Sequence, residues 1–341
     1  MTIQVGIVGA TGYTALEVAR LLLSHPEATL VAATSRADAG KPLSAVHPSL
    51  SGRCDVVIET LDADEIAKKC DVVMCCLPHG ASAETCKQLV EAGTRVVDFS
   101  ADFRLSNREL YEKWYGVTHP WPERIGKTPY GLPEFYADEI RSSDLVANPG
   151  CYPTSVILPL QPLLHSDMIE ATDIIVDSKS GVSGAGRSPK LGTLYCEVND
   201  SIAAYGVGSH RHQPEMVDIL HRAAGTLPSI LFTPHLTPMD RGILSTIYVK
   251  PKTDAGGGKV HAKQLIETWQ KRYRDCPFLV PTDALPATKH VAGTNYVHMT
   301  ARDAADRIVI VCAIDNLTKG ASGAAIQNMN VMFGVNEGLG L

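Results

Sequence analysis

The stretch Ile3-Gln4-Val5-Gly6-Ile7-Val8-Gly9-Ala10-Thr11-Gly12-Tyr13 decides the fold. Its first six residues read as a buried strand, the glycines after them force a turn, and the apolar spacing over 15–23 reads as an amphipathic helix. Strand, glycine turn and helix, in that order, make a phosphate cradle. Gly6, Gly9 and Gly12 stand one residue wider at the front than the usual G-x-G-x-x-G dinucleotide fingerprint, and a second strand at 29–33 completes the βαβ context the motif requires. Gly9, Thr11, Gly12 and Tyr13 are therefore candidate cofactor contacts.

The end of that second strand selects the cofactor. An NAD site places Asp or Glu there for the ribose 2′-hydroxyl, whereas this chain reads Thr34-Ser35-Arg36. A hydroxyl and a guanidinium at Ser35 and Arg36 suit a 2′-phosphate, which favours NADP. Strand patterns recur at 71–77 and 94–99 with a helical pattern at 81–91 between them. Pro78 and His79 then fall at the carboxyl edge of the sheet, where ligands sit in such folds. Arg104, in the next edge loop, could clamp a phosphate or carboxylate bidentately or pair with Asp102 at the surface. Residues 111–135 are dense in aromatics and prolines, and read as irregular.

The chemistry points to Asn148-Pro149-Gly150-Cys151-Tyr152-Pro153-Thr154. Pro149 and Gly150 mark a sharp turn and Pro153 suits a first helical turn, so Cys151 falls beside a helix N-terminus. Unpaired N–H groups and the helix dipole there favour thiolate, and could also hold an oxyanion. Downstream, 174–178 reads as a strand opening a second domain. It runs into a glycine- and serine-rich loop in which Ser180 and Arg187 are candidate anion donors on the substrate side and Gly181 a cofactor contact. His210-Arg211-His212-Gln213-Pro214-Glu215 opens another helix; either histidine could serve Cys151 as acid or base, and the spacing does not choose between them. Strand patterns at 230–235 and 243–249 flank a turn holding Arg241, another candidate anion-binding arginine; 254–258 reads as a flexible turn, and a helix at 262–273 and strands at 296–300 and 308–314 follow. The tail, from Asp315 and Asn316 through Gly320 and Gly323, is expected to place Asn316 on the nicotinamide amide and to return a helix of small residues to the first domain.

The chain of 341 residues, 45% hydrophobic and 20% charged, fits two globular domains. The expected fold is α/β: a Rossmann-type doubly wound dinucleotide-binding domain of residues 1–150 and 315–341, and an α+β catalytic and dimerisation domain of residues 151–314. A net charge of −6 gives no reason to expect a nucleic-acid partner. No run of 18 apolar residues suggests a membrane span, and the N-terminus lacks a signal pattern, so a cytoplasmic location is expected. Nine cysteines without a C-x-x-C pair argue against a disulfide framework or a metal site.

Taken together, Gly-Ala-Thr-Gly-Tyr at 9–13, Leu-Pro-His-Gly at 77–80, Asn-Pro-Gly-Cys-Tyr-Pro-Thr at 148–154, His-Arg-His-Gln-Pro-Glu at 210–215 and Asp-Asn-Leu-Thr-Lys-Gly at 315–320 resemble the N-acetyl-gamma-glutamyl-phosphate reductase family, itself related to aspartate-semialdehyde dehydrogenase. Ser155 departs from the glycine or alanine expected there. The resemblance implies NADPH-dependent reduction of N-acetyl-L-glutamyl 5-phosphate to the semialdehyde through a Cys151 thioester. It also implies proton transfer by His210 or His212 with Glu215 as orienter, phosphate binding at Arg104, and a homo-oligomer, dimer or tetramer. Three readings compete: a reductase of aminoadipyl or aspartyl phosphate, a non-catalytic NADP-binding regulator, and a cysteine hydrolase.

Overall fold

The computed structural model describes residues 2–253 and 256–341; of the turn expected at 254–258, Asp254 and Ala255 lie outside them. The chain divides into two compact units, Met1–Pro149 with Ala321–Leu341, and Gly150–Gly320.

In the first unit the strands are β1 (Ile3–Val8), β2 (Ala28–Thr34), β3 (Ile58–Glu59), β4 (Val72–Cys75), β5 (Arg95–Asp98) and β6 (Leu145–Ala147). They form one sheet in the order β3-β2-β1-β4-β5-β6, every pair parallel. This is the doubly wound order, whose reversal between β1 and β4 is where such sheets bind ligands. Val5, Ile7, Val72 and Met74 are buried in one run, as parallel strands covered on both faces must be. The helix Gly323–Met332 belongs to this unit and is buried all round. Its asparagine amides donate inside the unit: Asn328 Nδ2 to Gly131 O and Asn148 Oδ1, and Asn330 Nδ2 to the carbonyls of Glu337 and Leu339.

Residues 111–135 are more regular than their composition suggests. A helix spans Arg108–Tyr115, capped by the Asn107 side chain and ended by Gly116 in the left-handed region, and another begins at Pro133. Tyr111 faces the core on the first of these; the prolines that hid the pattern all come after it.

The second unit holds β7 (Ile174–Ser180), β8 (Ala203–Ala204), β9 (Ile230–Leu236), β10 (Ile243–Val249), β11 (Leu279–Pro281), β12 (Val297–Ala304) and β13 (Arg307–Ile314), in the order β11-β12-β13-β10-β7-β9-β8. The sheet is mixed, with β7·β9 and β11·β12 parallel and the other pairs antiparallel. Burial alternates along β7 and β10, so one face is core, and the helix Cys151–His165 packs on it.

That helix runs through Pro159 and Pro162. Pro162 has no N–H for the carbonyl of Leu158 four residues earlier, and the Tyr273 hydroxyl donates to that oxygen at 2.5 Å in its place. Trp269 Nε1 donates to Pro159 O. Ser155 fills its position with a buried hydroxyl chain: it donates to Tyr152 O and meets Ser245 Oγ at 2.7 Å, which meets Ser178 Oγ at 2.7 Å.

The boundary near the C-terminus differs from the expected 314/315. Residues 315–320 belong to the second unit because Asp315 and Asn316 are bonded into it, to Arg241 and Gly242. Among the described residues, no helix is long and apolar enough to cross a membrane.

Candidate active site

In the first unit the loops after β1, β2, β4 and β5 lie along one edge of the sheet. Gly9 has φ +82°, and a Cβ on it would stand 2.7 Å from Cys76 O, so only glycine permits this turn. Gly6 is also tightly enclosed, since a Cβ there would stand 2.9 Å from Cys70 Sγ and 3.3 Å from Val73 Cγ2. Gly12 is the N-cap of the helix Tyr13–Leu22, whose end carries no side-chain cap and no acidic residue in its first turn. Bare N–H groups at a helix start beside a backbone that tolerates only glycine suit a pyrophosphate. Thr11 and Tyr13 flank this turn.

At the end of β2, Ser35 is half-buried and Arg36 exposed. The nearby acid at the end of β3, Glu59, is paired with Lys69 at 2.8 Å. These residues fit the adenosine end of NADP. Pro78 and His79 are exposed at the end of β4, where His79 Nδ1 accepts the Ala101 N–H at 3.0 Å and its ring packs edge-on to Tyr115.

The surface pairing of Asp102 with Arg104 is not what forms. Asp102 is buried and accepts from Gly80 N, Ser82 N, Ala83 N and Tyr111 OH, closing the start of the helix Ala83–Glu91. Arg104 is also buried, with Nε on Asn148 O and an Nη on Phe99 O, both at 2.7 Å. At least two of its five donors thus hold backbone carbonyls. Beneath this edge the donor atoms of Cys75, Cys86 and Asp98 lie within 4.8 Å of one another. The Ser82 hydroxyl stands among them, 2.5 Å from Asp98 Oδ1, 3.1 Å from Cys75 Sγ and 3.5 Å from Cys86 Sγ, so the group forms a hydrogen-bonded cluster around it. Burial, with the Asp102 charge adding, pushes the Asp98 carboxyl up to about 6.

The second unit assembles the proposed chemistry. The helix starts at Cys151 itself, with Gly150 as its extended N-cap, so the thiol occupies the first helical position and is partly exposed. Glu215, fully buried in the first turn of the helix His212–Ala224, accepts the Gly150 N–H at 2.9 Å. It holds the turn before Cys151 directly.

His210 and His212 do share a side, though through the turn into a helix and not through an extended approach; their rings are 4.9 Å apart. His210 packs edge-on to Tyr152, Tyr205 and Phe232, and its Nδ1 accepts the His212 N–H at 3.1 Å. Burial, reinforced by the Arg211 charge, lowers its pKa to about 4. His210 is therefore neutral near pH 7, with its ring proton on Nε2. The His212 ring lies 5.9 Å from that of Tyr152.

Sequence reading passed over the two tyrosines. Tyr205 OH donates to Tyr152 OH at 3.0 Å, and Tyr152 OH donates to His235 O at 3.4 Å. Burial above all, with the neighbouring phenol and Cys151 adding at Tyr152 and Cys151 adding at Tyr205, raises both hydroxyls and keeps them proton donors. Tyr152 could have been found by its adjacency to Cys151. Tyr205 follows a largely exposed stretch without periodicity and gives no local signal.

Three candidates have structural partners instead. Asn316 is buried with Oδ1 accepting Gly242 N–H at 2.7 Å and Nδ2 donating to Ser183 Oγ at 2.9 Å, so its amide is engaged within its own unit and not held out for a nicotinamide. Gly181 packs against the 238–242 turn, where a Cβ would stand 2.4 Å from Asp240 O, and its N–H is bonded to Gly242 O. Arg241 binds the buried Asp315 at 2.9 Å and not a free anion. Ser180 is buried at the end of β7, and Arg187 lies on the exposed loop after it.

Two family profiles match the chain: "Semialdehyde dehydrogenase, NAD binding domain" over residues 4–143 and "Semialdehyde dehydrogenase, dimerisation domain" over residues 151–316. The N-acetyl-gamma-glutamyl-phosphate reductase of Rhodopirellula baltica is 67% identical, covering 99% of this chain and 98% of its own. That of Citrifermentans bemidjiense is 49% identical with the same coverage. Among solved structures, aspartate semialdehyde dehydrogenase II from Vibrio cholerae, complexed with ASA, superposes with a TM-score of 0.73 at 17% identity, covering 98% of each chain. Aspartate semialdehyde dehydrogenase with NADP from Candida albicans gives 0.71 at 17% identity, covering 98% of this chain and 99% of its own. These two share the fold. The chain belongs to the N-acetyl-gamma-glutamyl-phosphate reductase family, within the semialdehyde dehydrogenases.

Proposed function

We propose that Cys151 is the nucleophile in the NADPH-dependent reduction of N-acetyl-L-glutamyl 5-phosphate to N-acetyl-L-glutamate 5-semialdehyde and phosphate, a step of arginine biosynthesis. The observation that carries this is a partly exposed cysteine at the first position of a helix, its turn held by the buried Glu215 and its surroundings filled by Tyr152, Tyr205, His210 and His212. A helix N-terminus favours thiolate and stabilises an oxyanion on the attacked carbonyl. Cys151 Sγ bonds to the acyl carbon and the carbon–oxygen bond to phosphate breaks, leaving a thioester and inorganic phosphate; an acyl phosphate already carries a good leaving group.

His212 takes the thiol proton and returns one when the sulfur is released. His210, held neutral, serves as a hydrogen-bonding wall that fixes the backbone of His212. When bound, NADPH supplies the hydride that converts the thioester to the aldehyde. Gly9, Thr11, Gly12 and Tyr13 would hold its pyrophosphate, Ser35 and Arg36 its 2′-phosphate, and Pro78 and His79 would line the sheet edge beside it. Arg104, Ser180 and Arg187 are the proposed substrate contacts.

Exposed Leu191, Tyr195 and Ile202 support a homo-oligomer, dimer or tetramer, and an odd set of nine cysteines with no C-x-x-C pair supports a reducing, cytoplasmic setting. The test is Cys151→Ser, assayed for phosphate-dependent NADP reduction with N-acetylglutamate semialdehyde. Turnover should vanish while NADPH binding remains; near-normal turnover refutes the nucleophile.

A further inference from the structure

We infer that the turn of residues 315–320 is a backstop that positions the nucleophile, with Gly320 touching Cys151 and the Asp315–Arg241 pair holding the turn rigid. The inference rests on Cys151 being the nucleophile. A Cβ built on Gly320 would stand 2.9 Å from Cys151 Cβ, 3.3 Å from Cys151 Cα and 3.2 Å from Asp315 O. Carbon atoms pack best at about 3.5–4.0 Å, so any side chain here must displace something by roughly half an ångström or more. Gly320 does not lie in the left-handed region, and alanine could adopt its backbone. Glycine is required for room, and the room is taken by the nucleophile's own Cα and Cβ.

The turn itself cannot easily yield. The fully buried Asp315 carboxylate accepts from Arg241 Nε at 2.9 Å, Arg241 Nη at 3.2 Å, Gly293 N at 2.6 Å, Leu317 N at 2.7 Å and Thr318 N at 3.1 Å. Gly320 N donates to Asp315 O at 2.9 Å, which closes the turn on itself. Breaking a buried, multiply bonded charge is costly, so a bulkier residue 320 should push Cys151 and not the turn. Independently of that turn, Glu215 grips Gly150, the residue before Cys151. The first residue of the nucleophile helix is thus in touch with one anchored element and follows a residue held by another. Gly320, Asp315 and Arg241 are positioning residues, since none is assigned a contact with the reacting atoms.

The experiment compares Gly320→Ala with Gly192→Ala, an exposed glycine whose Cβ would meet nothing within 4 Å. Each full-length protein is assayed for phosphate-dependent NADP reduction, and for iodoacetamide alkylation of Cys151 across pH, followed by mass spectrometry. Misplacing a reacting group by about 1 Å can cost on the order of 10²-fold, so G320A should lose kcat on that scale with KM for NADP unchanged. Its Cys151 should also alkylate more slowly, with the pH profile displaced upward as the sulfur leaves the helix N-terminus. G192A should match the wild type. Wild-type kcat and alkylation in G320A overturn the backstop. If G320A does not fold, Arg241→Lys loosens the turn without adding atoms to it. Slower Cys151 alkylation with unchanged KM for NADP then supports the inference, and unchanged alkylation overturns it. Turnover by Cys151→Ser would instead remove the nucleophile, whereas a dead Cys151→Ser beside a normal G320A removes the backstop alone.

Discussion

Replacing His210 by asparagine tests whether the imidazole is held neutral by its aromatic cage. In the folded chain burial, reinforced by the Arg211 charge, brings this ring from its ordinary 6.5 to about 4. Below pH 6.5 the unfolded chain therefore takes up a proton that the folded one refuses. Stability falls as pH drops from 6.5 towards 4 and is nearly flat above 6.5. With those two pKa values, linkage gives a loss of about 2 kcal/mol between pH 7 and pH 5. Asparagine can place its Oδ1 near the Nδ1 that accepts the His212 N–H, and it has no proton to gain. Its substitution carries a constant cost from lost ring packing against Tyr152, Tyr205 and Phe232, which pH does not change. The stability advantage of wild type over H210N should therefore shrink by about 2 kcal/mol on going from pH 7 to pH 5. Thermal unfolding followed by circular dichroism at pH 7, 6 and 5, at matched ionic strength, reads this as a convergence of Tm by several degrees. A Tm difference that stays constant over that range would show that His210 titrates normally, and the assignment of His212 as the proton carrier would lose its basis.

Two further outcomes follow from the first unit. Gly9→Ala forces a left-handed alanine and a contact with Cys76 O, at a cost of about 1–3 kcal/mol that falls on the phosphate turn. NADPH affinity by fluorescence titration should drop at least about tenfold, and unaltered binding would exclude this turn as the cradle. Asp98→Asn removes a buried carboxyl raised from 3.8 to about 6. The folded state here holds its proton longer than the unfolded state, so wild-type stability declines as pH rises from about 4 to 6, by about 3 kcal/mol in all. The Tm of D98N relative to wild type should therefore rise over that interval, apart from a constant offset for the altered bonds to Ser82 and Ser100; a flat difference refutes the shift.

Much of the first unit was legible along the chain because its cues are local. A buried strand, three glycines and an uncapped helix start occupy residues 3–22, and the absence of an acid after β2 can be read from three letters, Thr34-Ser35-Arg36. The turn before Cys151 and the proline in the first turn of its helix are local as well. The aromatic helix Arg108–Tyr115 was obscured only by the prolines beyond it.

What the chain by itself determined was which residues can do chemistry and which backbone they stand on. Only the tertiary structure decided how their polar atoms are used. Arg104, Arg241 and Asn316 look alike in sequence, as donors awaiting a ligand, yet all three are buried or nearly so and bonded to protein partners far along the chain. The same holds for Tyr205, brought to Tyr152 across 53 residues, for Glu215, brought to Gly150 across 65, and for Gly320, whose missing side chain makes room for a cysteine near the other end of its unit. Local sequence fixes conformation through sterics and backbone hydrogen bonding; the partner of a buried polar group depends on which distant segment the packed core brings within 3 Å of it.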